Sequence, residues 1–471
     1  MRFFLLLFVS LLPVACNTYQ PPPNINTPIP VLARPGGSTL PLQATAARME
    51  YLENANIKVG LDMARGGAMT FLSYRGRPNM INVFDDGRYL QVSLWGGPIP
   101  YIPPGAELYP SEDAKAWGWL VVTAGDSFGN LTGVTETRKT ANEIYVKSSP
   151  IVFTLRKYPA NCTFEYWVTL EATAVKVRFK ATLNRTETAQ YEARGHEAPA
   201  VYATGNFTQF TTYYGTKPYA NEPLLQKDLP KAWPDYYHVP ENWVALVDKN
   251  SDIALGLYAP YRFRTLVGTF NQPYGQGIAT DPQTSLITGD DITILDHNAP
   301  YECQYTVIPG RISDIRAYVY AQPRPDTRPN YRFTADRLRW RYDNTRDQGF
   351  PIRDGLAIDF SPKNLLIRSP LWQWPAADVP KLYIQAAFTT SAKTARLSWR
   401  TFFEEDFPDS PNQNIDFPII GDGVVRTYAI DVAKAPNWKG SIIQLGIRQS
   451  PGDPALAGQR LLLKAVMADV P

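Results

Sequence analysis

Residues 66–98 read GGAMTFLSYRGRPNMINVFDDGRYLQVSLWGGP, and the fold is legible from this stretch outward. Gly66-Gly67 suits a tight turn, because glycine tolerates positive φ. Ala68 to Tyr74 then alternates as a strand does. Arg75-Gly76-Arg77-Pro78 turns the chain again. Beyond it, Asp85, Asp86, Arg88, Gln91 and Ser93 stand among Phe84, Tyr89, Leu94 and Trp95. A strand that only fills a core has no use for two carboxylates, a guanidinium and an amide beside large aromatics. A surface that grips something polar and flat-faced does, and sugars have that character: hydroxyls around the rim and apolar C–H faces.

The wider composition agrees with a β protein. The chain has 471 residues and a net charge of +3, which gives no electrostatic basis for a nucleic-acid partner. Aromatics make up 13% and charged residues 19%, with 42 prolines and 31 glycines, so turns are many and long helices few. Alternating runs at Tyr145–Leu155, Phe164–Glu171 and Val175–Leu183 predict half-buried strands of a large antiparallel sheet. Ile253–Tyr258 and Ile315–Tyr320 are read the same way, and a short helix is expected within Thr334–Tyr342. A Pro-rich link begins at Gln322. The expected organisation is a β-supersandwich over 46–322, a linker over 323–353 and a smaller jelly-roll-like sandwich over 354–471. The clearest strands of the latter are Leu382–Phe388, Thr394–Phe402, Ser441–Arg448 and Leu461–Met467.

The N-terminus reads as a targeting segment. Residues 1–15 carry Arg2 and then an apolar run too short to span a bilayer. Pro13-Val-Ala-Cys16 matches a bacterial lipobox except at Pro13. It predicts a lipid on Cys16 and a membrane-attached protein, with ordinary cleavage near Ala15 as the alternative. Residues 16–45 form a Pro-rich tether. Either route takes the protein out of the cytoplasm. Cys162 and Cys303 are then left as a disulfide or as two buried thiols.

Several segments resemble known families. The hairpin of Ile57 to Tyr74 is similar to the opening of galactose-mutarotase-like β-supersandwiches. Phe84-Asp-Asp-Gly-Arg88, His196-Glu-Ala-Pro-Ala-Val-Tyr202 and Glu241-Asn-Trp-Val-Ala-Leu-Val-Asp248 resemble segments of bacterial extracytoplasmic proteins of that fold. Trp399, Phe417-Pro418, Asp422-Gly423, Tyr428 and Trp438-Lys-Gly440 resemble carbohydrate-binding-like sandwiches. The resemblance implies an all-β fold and a protein that acts on or binds glycans. The His and Glu segments that mutarotases use have no counterpart here among His196, His238 and His297, so simple mutarotation is not expected.

Carboxylates are the natural candidates for chemistry on a glycan. Glu197, framed by His196 and Pro199, is the expected acid, its alternative being a surface pair with Arg194. Asp86, beside the turn at Gly87, is the expected second carboxylate, because only one of Asp85 and Asp86 can face a groove. Its alternative is a plain Asp–Gly turn with Arg88 in an ion pair. His297 is a candidate proton shuttle. Arg88, His196 and Tyr202 are expected to bind substrate, and Trp95, Trp117 and Trp119 to stack on sugar rings. If Trp117-Gly-Trp119 is a strand, both indoles share a face. Tyr213, Tyr214, Trp233, Tyr236 and Tyr237 add to the aromatic-rich text. No short-spaced ligand pair predicts a metal, and no cofactor fingerprint appears. The expected function is polysaccharide processing by paired carboxylates, glycosidase-like, with a lyase as a variant. The alternative is a glycan-binding surface lipoprotein without turnover.

Overall fold

The computed structural model describes residues 46–231, 234–273, 275–360, 365–408, 411–450 and 458–470. The targeting segment 1–15, the tether 16–45, Cys16 and Trp233 lie outside the described residues. The protein is nearly all β, built from four antiparallel sheets. Strands Met49–Glu53, Ile57–Asp62, Ala68–Tyr74, Leu90–Gly96, Arg194–Thr204, Thr284–Thr293, Arg264–Phe270 and Asp235–His238 lie side by side in that order in a nine-stranded sheet, with Trp119–Val122 added on Leu90–Gly96. The Ile57–Tyr74 hairpin forms as its residues predict. Gly66 is needed in its turn: φ is +64°, and a Cβ there would sit 2.3 Å from the Thr123 carbonyl oxygen.

A second nine-stranded sheet faces the first. Its central strands Val175–Leu183 and Cys162–Leu170 alternate strictly between buried and more exposed positions, as expected of a sheet with one wet face. The core between the sheets gathers Val59, Leu72, Leu94, Phe164, Phe179 and Val201, all fully buried. The first sheet differs in one respect. Leu90–Gly96 is buried at every position, so its outer face is covered as well. That covered face holds the candidate site.

The last two sheets, each six-stranded, close a smaller sandwich around Trp340, Trp374, Trp399 and Leu445. Strands Asn330–Arg332, Arg341–Asp343 and Arg346–Asp347 belong to these sheets, and Trp340 and Tyr342 to their core. The stretch 323–353 is thus no simple linker, because its aromatics are needed inside. The two sandwiches meet through Phe263, Phe402, Ile443 and Leu371. Tyr261 stacks on Trp372 at 5.7 Å. The buried Arg337 ties Asp296 of the first sandwich to Asp347 of the second, at 2.5 Å from Asp347.

Two local readings change. Ile315–Tyr320, expected as a strand, lies in the α-helix Ile312–Tyr320. Its apolar residues fall at Ile312, Ile315 and Val319, a helical spacing, and Ile315 packs over Gly256 where a Cβ would find 2.8 Å. Residues 334–342, expected to include a helix, are a turn leading into the strand Arg341–Asp343. Cys162 and Cys303 are separate buried thiols, and burial pushes the Cys303 thiol up to about 12.

Removing Arg337 leaves two buried carboxylates without their shared partner. Arg337→Leu is expected to lower stability by about 3–5 kcal/mol in urea unfolding. A loss within about 1 kcal/mol, as for a surface pair, would show that this guanidinium does not hold the junction.

Candidate functional site

The first sheet aligns five polar side chains in one row across five strands. Ser93 is paired with Glu197, Glu197 with Asp290, Asp290 with Arg264, and Arg264 with His238. Residues directly opposite in an antiparallel pair share a face, so all five lie on the outer, covered face. On the same face, Trp95, Leu120 and Val122 pack with Ala114 and Trp117, and Ala200, Tyr202, Leu266 and Leu286 form a further apolar group. The helix Glu112–Trp117 therefore covers one end of the row. The second sandwich covers the other, where His238 lies 5.4 Å from the Phe402 ring.

Glu197 stands out in this row. It is 1% exposed, and neither carboxyl oxygen has a hydrogen-bond partner. Burial pushes its pKa up to about 7, opposed by the nearby Ser93 and reinforced by Asp290. Ser93 is close enough to act on the charge, yet its hydroxyl, like both Glu197 oxygens, lacks a partner at bonding geometry. Asp290 is also raised by burial, but the Arg264 guanidinium bonds it directly and opposes the rise. The two adjacent carboxyls are thus set apart by their partners: Glu197 has none, and Asp290 is bonded by Arg264. The Tyr202 hydroxyl and the Trp95 and Trp117 indole N–H groups are buried and unpartnered too. Buried polar atoms are normally satisfied, so these groups on one face have hydrogen-bonding capacity left for water or a ligand.

The other residues chosen from the sequence are distributed differently. Asp86 is held by the Arg65 Nε donor at 3.0 Å and the Tyr89 hydroxyl at 2.8 Å, which directs it to the hairpin and away from Glu197. Asp85, rather than Asp86, acts on Tyr202 and Arg88. Arg88 is 1% exposed and donates to the Pro282 carbonyl at 2.6 Å and Asn82 Oδ1 at 3.2 Å, so it braces the 281–282 loop. His196 faces inward beside Tyr301, and its Nδ1 accepts the Trp95 backbone N–H at 3.1 Å. Burial lowers its pKa to about 4, against the pull of Asp291. His297 sits on the turn after Thr284–Thr293, seven residues beyond Asp290, and is not brought to the row.

Trp117 and Trp119 do not share a face. Trp117 ends a helix, Gly118 turns the chain at φ +65°, and Trp119 opens a strand into the inter-sheet core. All three tryptophans are buried, Trp95 and Trp117 outside the first sheet and Trp119 inside it. The sequence pattern alone does not bring Asp290, Arg264 and His238 together with Glu197; the strand pairing does. The signal for Asp290 was present: Leu286, Thr288 and Asp290 alternate along Thr284–Thr293. Among the described residues, no three His, Cys, Asp or Glu side chains converge as a metal ion would need.

No family model matches the chain, and no curated protein does. Solved structures do. A putative aldose 1-epimerase from Escherichia coli K12 is similar at 9% identity over 57% of this chain and 100% of its own, with a TM-score of 0.37. A galactose mutarotase-like protein from Lactobacillus casei ATCC 334 is similar at 13% identity, over 56% of this chain and 100% of its own, with a TM-score of 0.36. An alpha-galactosidase from Lactobacillus brevis matches over 59% of this chain and 42% of its own, at 10% identity and a TM-score of 0.35.

The raised pKa of Glu197 carries a stability signature. The folded chain holds this proton more tightly than the unfolded chain, whose carboxyl titrates near 4.5. The stabilisation is full below 4.5 and is lost as pH rises through about 7. Glu197→Gln is expected to flatten that fall, whose size is on the order of 3 kcal/mol. Denaturation midpoints across this window test it, and an unchanged slope in the variant would refute the raised pKa.

Proposed function

We propose that the chain is a glycan-active protein working outside the cytoplasm, with Glu197 as the proton donor and acceptor at a glycosidic oxygen. One observation carries this reading: a fully buried carboxyl with both oxygens unpartnered, next to a second carboxyl that is bonded to an arginine. Protonated near neutral pH, Glu197 gives its proton to the oxygen joining two sugars. The C–O bond breaks, its electrons go to that oxygen, and Asp290 faces the positive charge that develops on the ring. Water then adds its hydroxyl to the anomeric carbon and returns a proton to Glu197. The hydroxyls of Ser93 and Tyr202 and the indole N–H of Trp95 supply unpartnered groups for sugar hydroxyls. The lipobox-like segment at Cys16 supports a tethered location.

Binding without turnover is the second reading. It is motivated by the depth of the row: Ser93 is 0% exposed and Glu197 and Tyr202 1%, so a glycan held at the surface does not reach Glu197 unless the cover opens.

Purified chain on a panel of polysaccharides, with reducing ends and new unsaturation followed together, separates the two. Turnover is expected to fall at least about 100-fold in Glu197→Gln, since a positioned acid contributes about that much or more. Asp86→Asn is expected to keep turnover wherever it folds. Product formation unchanged in Glu197→Gln would contradict the assignment. Binding without product in the parent chain would establish the second reading.

A further inference from the structure

The junction between the sandwiches gathers four guanidiniums whose carboxylate partners are unevenly shared. Arg341 and Arg368 are paired across neighbouring strands, while Tyr342 and Ile367, next to them, enter the core of the second sandwich. Trp399 enters the same core, which leaves Arg400 on the outer face with Arg341 and Arg368. That face meets the first sandwich at Arg264 and His238, both within electrostatic reach of Arg400, and Arg264 of Arg341.

The partners of these four guanidiniums are unequal. Arg264 bonds Asp290. Arg368 bonds Asp343 at 2.6 Å and Asp406 at 2.5 Å. Arg400 has only neutral acceptors at bonding distance, the Glu404 carbonyl at 2.6 Å and Gln444 Oε1 at 3.2 Å. The Arg341 side chain is 8% exposed and, among the described residues, has no hydrogen-bond or ion-pair partner, Asp343 acting on it only from a distance. Burial, then the neighbouring Arg368 and Arg264, lower its pKa to about 9 despite Asp343. The His238 Nδ1 atom is buried and unpartnered beside them. A buried charge is normally paired, and a guanidinium presents a fork of donors matched to a carboxylate or a sulfate.

We propose that Arg341, with Arg400 behind it, binds the anionic group of an acidic sugar at the junction, at the Arg264 end of the Glu197 row. This rests on the glycan reading of that row and adds a substrate class to it: a glycan bearing a carboxylate or a sulfate ester. The apo chain carries Arg341 unpaired, which costs stability that the ligand restores.

The test is calorimetric titration of the full mature chain with a digalacturonate, a sulfated galactose disaccharide and neutral galactobiose, together with inorganic sulfate. At least one acidic disaccharide is expected to bind about tenfold or more tighter than the neutral one, a gap that narrows with added salt. Which acidic probe wins identifies the carboxylate or the sulfate as the source. Arg341→Gln should abolish the gap while leaving neutral binding in place, and the unliganded variant should melt no lower than the parent chain. Equal affinity for acidic and neutral probes in the parent chain overturns the proposal without any variant. A gap that survives Arg341→Gln and Arg400→Gln does so as well. Sulfate binding that depends on Arg341, in a chain that binds no sugar, would uphold the anion site and remove the glycan reading. Turnover of neutral glycan, with no Arg341-dependent anion binding, would do the reverse.

Discussion

The register of five antiparallel strands is the constraint on which the site depends. Ser93, Glu197, Asp290, Arg264 and His238 come from strands far apart in sequence, and only the ladder places them side by side. A slip of one residue in Arg194–Thr204 would send Glu197 to the inter-sheet core and bring His196 outward. His196 helps to prevent this. Its ring accepts the Trp95 backbone N–H where the strand departs from regular pairing, near the register shift between Glu197 and Ala200. The irregularity and the carboxyl therefore come as a unit, a bulge beside a candidate reactive group.

Burial then sets the chemistry. In water, Glu197 and Asp290 would both ionise at neutral pH. On a face covered by the helix Glu112–Trp117 and by the second sandwich, charge is penalised, and the guanidinium in the row, Arg264, bonds Asp290. Glu197 is left to keep its proton. The second sandwich is thus part of the electrostatics of the first. It supplies the low-dielectric cover and also the guanidiniums of Arg341 and Arg400.

Much of the fold could be read from the chain, and the reasons are local. The Gly66-Gly67 turn and the alternation of Val175–Leu183 are signals carried by neighbouring residues. Glu197 could be singled out as a carboxyl framed by His196 and Pro199, whereas its neighbours Ser93 and Asp290 are set by the ladder. What could not be read depends on contacts distant in sequence. Asp86 and Asp85 are equivalent on paper, and the positions of Arg65 and the Tyr89 hydroxyl decide which one turns to the hairpin. Trp117 and Trp119 look like a strand pair until Gly118 takes positive φ between them. Ile312, Ile315 and Val319 fit a helix, yet the β-branched text around them reads equally as a strand. Arg341 gives no sign at all, because its meaning lies in the partners that it lacks.

The most direct measurement is the ionisation of Glu197 itself, by infrared difference spectroscopy of the parent chain against Glu197→Gln over a pH series. The account requires a protonated-carboxyl band that is present in the parent chain at mildly acidic pH, absent from the variant, and lost around pH 7. A Glu197 carboxyl already ionised down to the ordinary carboxylate range, about pH 4, would contradict it. The row would then be a buried structural ladder with no proton to give.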